Sequence, residues 1–123
     1  MNYVILIYHN PEAMAVWNSL SEADRARGLR VYAELNQELA ASGELVATQA
    51  LGDRSLAKRV AVREGRPLAT DGPFAEVKEE LAGIYIVDCD SLERAVEIAA
   101  RIPEARFGLI EVRPTMVYEQ MEQ

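Results

Sequence analysis

The sequence predicts an α+β fold with the ferredoxin-like βαββαβ order, and three observations carry that prediction. Runs of strand-forming residues alternate with two segments of helical spacing. The strand-like runs at residues 2–8 and 81–89 are apolar on both sides, as central strands of a covered sheet are. Helix start and stop residues stand where that order needs them.

The elements follow in order. Residues 2–8 are β-branched and aromatic, end before His9-Asn10-Pro11, and predict a strand. Residues 11–18 fit a short helical turn. Ser21 then offers an oxygen to the first free amides of a helix, and Glu22 and Asp24 suit the positive end of its dipole. Leu29, Tyr32, Leu35 and Leu39 recur at helical spacing until Gly43, a residue at ease in the left-handed stop. Residues 45–51 predict a second strand, and residues 58–63 alternate in the manner of a third, half-exposed one. Glu64 to Pro67 is expected to turn, and 71–80 to form a loop. Residues 81–89 make the clearest strand. Asp90 to Glu93 resembles a capping box with Asp in the capping place, opening a helix along Leu92, Ala95, Val96, Ala99 and Ala100. Pro103 stops it, and residues 108–113 form the last strand before Pro114.

At 123 residues the chain suits one domain, 1–123, large enough to bury roughly two thirds of its unfolded surface without staples. Half its residues are hydrophobic and 27% are charged, which excludes a disordered chain. A net charge of -7, with basic residues scattered, argues against nucleic-acid binding. The opening apolar run, Tyr3 to Tyr8, is too short for a membrane span or a signal-peptide core, and the single cysteine, Cys89, permits no intrachain disulfide. A cytoplasmic protein without membrane attachment is expected.

Two helices cover one face of a four-stranded sheet. Yet Tyr3, Ile5 and Ile7 oppose Val4, Leu6 and Tyr8 along the first strand. Leu81, Tyr85, Val87 and Cys89 likewise oppose Ala82, Ile84 and Ile86. A second apolar face of that size exceeds what soluble monomers usually leave bare. A homodimer is therefore expected, the same face of a second copy being the simplest cover. The alternative cover is the run Thr115-Met116-Val117-Tyr118, folded back.

The segment Asp71-Gly72-Pro73-Phe74-Ala75-Glu76-Val77-Lys78-Glu79-Glu80 stands apart. Asp-Gly-Pro is strong turn chemistry, Phe74 is an aromatic among polar residues, and Glu76, Lys78 and Glu79 bring opposite charges together. The segment resembles the DGPFAETKE signature of a branch of the YCII-related domain family, with Val77 in place of Thr. Tyr3 to Tyr8, Gly43 with Leu45-Val46, Leu81 to Tyr85 with Asp88, Ile102-Pro103, Gly108 and Glu111 to Pro114 are similar to other parts of that family. The resemblance implies a dimeric α+β barrel of ferredoxin-like units. Members resemble gene neighbours of extracytoplasmic-function sigma factors, which implies a signalling link. Some members resemble enzymes with a His–Asp pair near the helix after the first strand; here no His lies between Ser21 and Gly43, and the sole His is His9.

His9, at the end of the first strand, is the candidate general base, because imidazole is the side chain whose ordinary titration spans neutral pH. An antiparallel pairing of the two central strands places it beside the 71–80 loop, within reach of Asp71, Glu76 or Glu79. Asp71 is its candidate catalytic partner, the alternative being that it only builds the turn. Tyr8, Gly72, Pro73, Phe74, Glu76, Lys78, Glu79 and Tyr85 are the expected ligand-binding set. No nucleophile elbow, phosphate loop or metal-ligand spacing occurs, so no cofactor or metal is expected. The expected function is the binding or transformation of a small organic molecule in a pocket of roughly 300 Å³ or more, lined by His9, Phe74 and tyrosines. The alternative is a non-catalytic accessory protein that binds a partner such as a sigma factor.

Overall fold

The β-branched run after Met1 forms β1 (Asn2–His9), followed by α1 (Pro11–Ser19), α2 (Glu22–Ser42) and β2 (Leu45–Ala50) in a computed structural model that describes residues 1–72 and 78–121. A 3₁₀ turn at 54–56 leads to β3 (Lys58–Arg63) and β4 (Arg66–Asp71). The chain continues through β5 (Glu80–Asp88), α3 (Leu92–Ala100), a 3₁₀ turn at 103–107, β6 (Ile110–Pro114) and α4 (Tyr118–Met121).

Four strands form one sheet in the order β2-β5-β1-β6, every neighbouring pair antiparallel. This is the ferredoxin-like arrangement expected, with β1 and β5 at its centre. The expected third strand, 58–63, does not join it. It pairs instead with β4, 66–71, in a separate two-stranded hairpin. The expected turn at 64–67 shrinks to Glu64-Gly65, both with positive φ, while Arg66 and Pro67 belong to the strand. Pro67 fits there because a two-stranded hairpin offers edge positions where a missing N–H costs little.

The helix signals operate locally. Asn10 caps α1 by accepting the Ala13 amide at 2.8 Å, making a full helix of the expected short turn. The Ser21 hydroxyl accepts the Asp24 amide at 3.1 Å, and Gly43 ends α2 at φ +81°. Ser91, not Asp90, caps α3, because its hydroxyl reaches the Arg94 amide at 3.1 Å.

One face of the sheet is the core. Tyr3, Ile5, Ile7, Tyr85 and Val87 pack against Leu35 and Leu39 of α2 and Ala95, Ile98 and Ala99 of α3. Burying each large apolar side chain there contributes roughly 1.5–3 kcal/mol. The expected helical stripes are narrower in fact: Leu29, Leu92 and Val96 are exposed. An irregularity between Ile7 and Tyr8 leaves Ala82 unpaired with β1, puts Gly83 in the buried register and exposes Leu81. On the opposite face, Val4, Leu6 and Tyr8 alternate with the core residues of β1, and Ala82, Ile84 and Ile86 with those of β5, all half-buried. The run 115–118 does not cover them: Met116 and Val117 are exposed, and Tyr118 is 84% exposed.

Among the described residues, no helix is long and apolar enough to cross a membrane.

Candidate functional site

The antiparallel pairing of β1 and β5 sets His9 opposite Glu80 at one end of the sheet. His9 is half-buried, at the point where β1 gives way to the Asn10 cap of α1. Among the described residues its ring has no hydrogen-bond partner. Beside it, Arg54 Nε stands 3.1 Å from Glu80 Oε2. The pair attracts by charge but is out of line for a hydrogen bond, so this shielded carboxylate oxygen keeps an unused acceptor among the described residues. Arg54 is set there by the 3₁₀ turn at 54–56, which Asp53 caps by accepting the Ser55 amide at 3.1 Å.

Tyr8, next along β1, stands on the free face. Its hydroxyl donates to Glu111 Oε1 at 3.0 Å, across the pairing of β1 with β6. Burial and then the Glu111 carboxylate push the phenol above its ordinary range, so it stays a neutral donor. Val4, Leu6, Ile84 and Ile86 continue the face as an apolar floor, with Glu111 and Arg113 opposite Leu6 and Val4 on β6 and Gln49 opposite Ile84 on β2.

The other expected site residues are distributed differently. Asp71 ends the hairpin and forms an ion pair with Lys58 on the facing strand. That contact ties the Asp71 side chain to the hairpin. Gly72, at φ +87°, returns its amide to Ala57 at 2.9 Å and closes the hairpin base. Lys78 and Glu79 are exposed in the bend that enters β5. Tyr85 lies in the core, 1% exposed, and its hydroxyl donates to Asn36 of α2. It is therefore on the opposite side of the sheet from Tyr8. Pro73, Phe74 and Glu76 lie outside the described residues, and with them the loop wall of the expected pocket.

Sequence reasoning missed Arg54, Glu80 as the partner across from His9, and Glu111. Nothing local to Glu111-Val112-Arg113-Pro114 places the Glu111 carboxylate on Tyr8. It also missed a half-buried polar group on the helix side, where the Tyr32 hydroxyl donates to the Glu104 carboxylate. Burial first, and that carboxylate second, raise the Tyr32 phenol far above its usual range. Two open grooves of about 450 Å³ each flank α3 and the 103–107 turn, one lined by Leu92, Val96, Ile110 and Val112, the other by Val31, Ile102 and Arg106. Neither reaches His9 or Tyr8. Cys89 is buried, its thiol pushed up by that burial, the condition of an inert sulfhydryl.

The fold and the His9 end of the sheet define a ferredoxin-like α+β protein with one helix-covered sheet face and one that is open among the described residues. The chain belongs to the YCII-related domain family, whose pattern matches residues 1–119. It is 31% identical over 124 residues to an uncharacterised protein of Rhizobium meliloti (strain 1021), spanning 99% of this chain and 98% of that one. Among solved structures it is similar to the 5-chloro-2-hydroxyhydroquinone dehydrochlorinase of Burkholderia phenoliruptrix AC1100, in complex with 2,5-dihydroxybenzoquinone. The TM-score is 0.54 and the identity 14%, over 98% of each chain, a likeness of fold.

Proposed function

We propose that two copies of the chain bring their open sheet faces together, and that the crevice formed at the His9 end binds a small organic molecule. One observation carries this reading: the face bearing Val4, Leu6, Tyr8, Ala82, Ile84 and Ile86 is covered neither by α2 and α3, which pack on the other side, nor by the C-terminal run. An apolar floor with a few directed polar groups is the usual make-up of a small-molecule site. Here the Tyr8–Glu111 pair supplies acceptor oxygens, the one phenol proton being given to Glu111, and His9 a group able to take or give a proton. The dehydrochlorinase of the same fold holds a hydroxylated quinone, which makes 2,5-dihydroxybenzoquinone a sensible first probe.

Two measurements test the reading. Sedimentation equilibrium at micromolar concentration is expected to give a two-copy species. Crystals of protein purified from its native host are expected to carry organic density beside His9 and Tyr8, which His9→Ala removes with little change in melting temperature. A crevice filled entirely by side chains of the two copies overturns the ligand reading. A stable single copy that binds an extracytoplasmic-function sigma factor one to one gives the face to that partner instead.

A further inference from the structure

We propose that the hairpin β3–β4 is a docking arm whose receiving surface is a second copy of this chain. The proposal rests on the reading that the chain pairs with itself, and adds to it which element does the gripping.

The hairpin is a separate sheet in which all twelve strand residues are exposed. A lone two-stranded hairpin is marginal in water. At its base the Gly72 amide meets the Ala57 carbonyl at 2.9 Å, closing the hairpin on itself. Its side chains are nevertheless sorted. Side chains alternate along a strand, and register pairs Val60 with Ala69 and Val62 with Pro67 on one face. The opposite face carries Arg59, Arg63 and Arg66 beside Ala61 and Leu68. Val60 and Val62 are each 70% exposed, so the apolar face is built but unfilled.

Charge selects the partner. Residues 58–71 hold four basic side chains, Lys58, Arg59, Arg63 and Arg66, against Glu64 and Asp71, a net of +2. The whole chain nets -7, so everything outside the hairpin nets -9. A basic arm with one apolar face on an otherwise acidic molecule is complementary to another copy of the same molecule. The acidic body of the same chain repels a polyanion such as nucleic acid. Opposite patches of this kind set orientation and speed of encounter, while the buried apolar contacts supply most of the affinity.

Sedimentation equilibrium of the full chain tests this. The pair Val60→Asp with Val62→Asp, and separately Arg63→Glu with Arg66→Glu, are each expected to raise the self-dissociation constant roughly tenfold or more. Circular dichroism should stay unchanged, since these side chains already face solvent in the single copy. Added salt should weaken wild-type self-association through the same charges. As a second measurement, a nitroxide on Val62→Cys, with Cys89 buried, should lose mobility as protein concentration rises. A two-copy species with unchanged affinity in both hairpin variants, and a label equally mobile at every concentration, overturns the arm. If Ile84→Lys, on the open sheet face, dissociates that same species, pairing through the sheet stands without the arm. A wild-type chain that stays single at tens of micromolar overturns both.

Discussion

Arg94 grips Glu44 with both sides of its guanidinium: Nε to Oε2 and Nη2 to Oε1, each at 2.9 Å. Glu44 sits between α2 and β2, where its own amide donates to Leu39 and its carbonyl accepts from Asp88. The ion pair therefore joins the start of α3 to the point where helix, turn and β5 meet. A two-point Arg–carboxylate contact fixes geometry in a way that a single-point contact does not. With Glu44 17% exposed and Arg94 37%, water screens part of it. Glu44→Gln is expected to cost about 1 kcal/mol, read as a lower urea midpoint at unchanged slope.

The same contact gives the protein an acid-sensitive limb. The Arg94 guanidinium, followed by the Ser42 hydroxyl, holds the Glu44 carboxyl down from 4.5 to about 2. Its folded value lies below its unfolded one, so its stabilisation is complete above about pH 4.5 and is lost as pH falls toward about 2. Denaturation midpoints across that window should fall less steeply in Glu44→Gln than in the wild type. Parallel curves for the two proteins would assign the acid limb to other carboxylates.

Tyr85 is a core residue with a polar end. Its hydroxyl meets Asn36 of α2 while its ring is sealed under the helices. Burial raises the phenol above its ordinary range, so the hydroxyl remains a donor at neutral pH. Tyr85→Phe should cost about 1 kcal/mol for the lost hydrogen bond, and Tyr85→Ala about 3–5 kcal/mol for the cavity. Both are equilibrium-unfolding measurements. If Tyr85→Phe also weakened binding of a ligand at the His9 end, the helix side would have to belong to the site.

Removal of the chain after Thr115 should leave stability within about 0.5 kcal/mol, because Met116, Val117, Tyr118 and Met121 are exposed while Thr115 keeps its bond to the Asn2 carbonyl. Self-association should persist as well. A truncated chain that newly aggregates or binds a hydrophobic dye would restore the tail to the role of cover for the sheet.

Much of the fold was legible in the residues. β1 and β5 announced themselves by being apolar on both sides, a pattern that only central strands sustain. Ser21 and Gly43 marked α2 because capping and left-handed stops act over three or four residues, within reach of a local reading. The placing of β3 was not legible, since the alternation of Lys58 to Arg63 is the same whether the strand joins the main sheet or folds back on β4. The pair of His9 with the start of β5 followed from topology, with Glu80 rather than Asp71 as the residue across from it.

By itself the sequence determined helices α2 and α3, the two central strands and the surplus apolar face, because propensity, capping and periodicity are short-range properties written residue by residue. Only the tertiary structure decided that Tyr8 meets Glu111, that Arg54 stands by Glu80, that Tyr85 turns inward and that the hairpin stands apart. Those relations depend on strand register and on which elements share a face, and each joins residues whose local sequences carry no mark of one another.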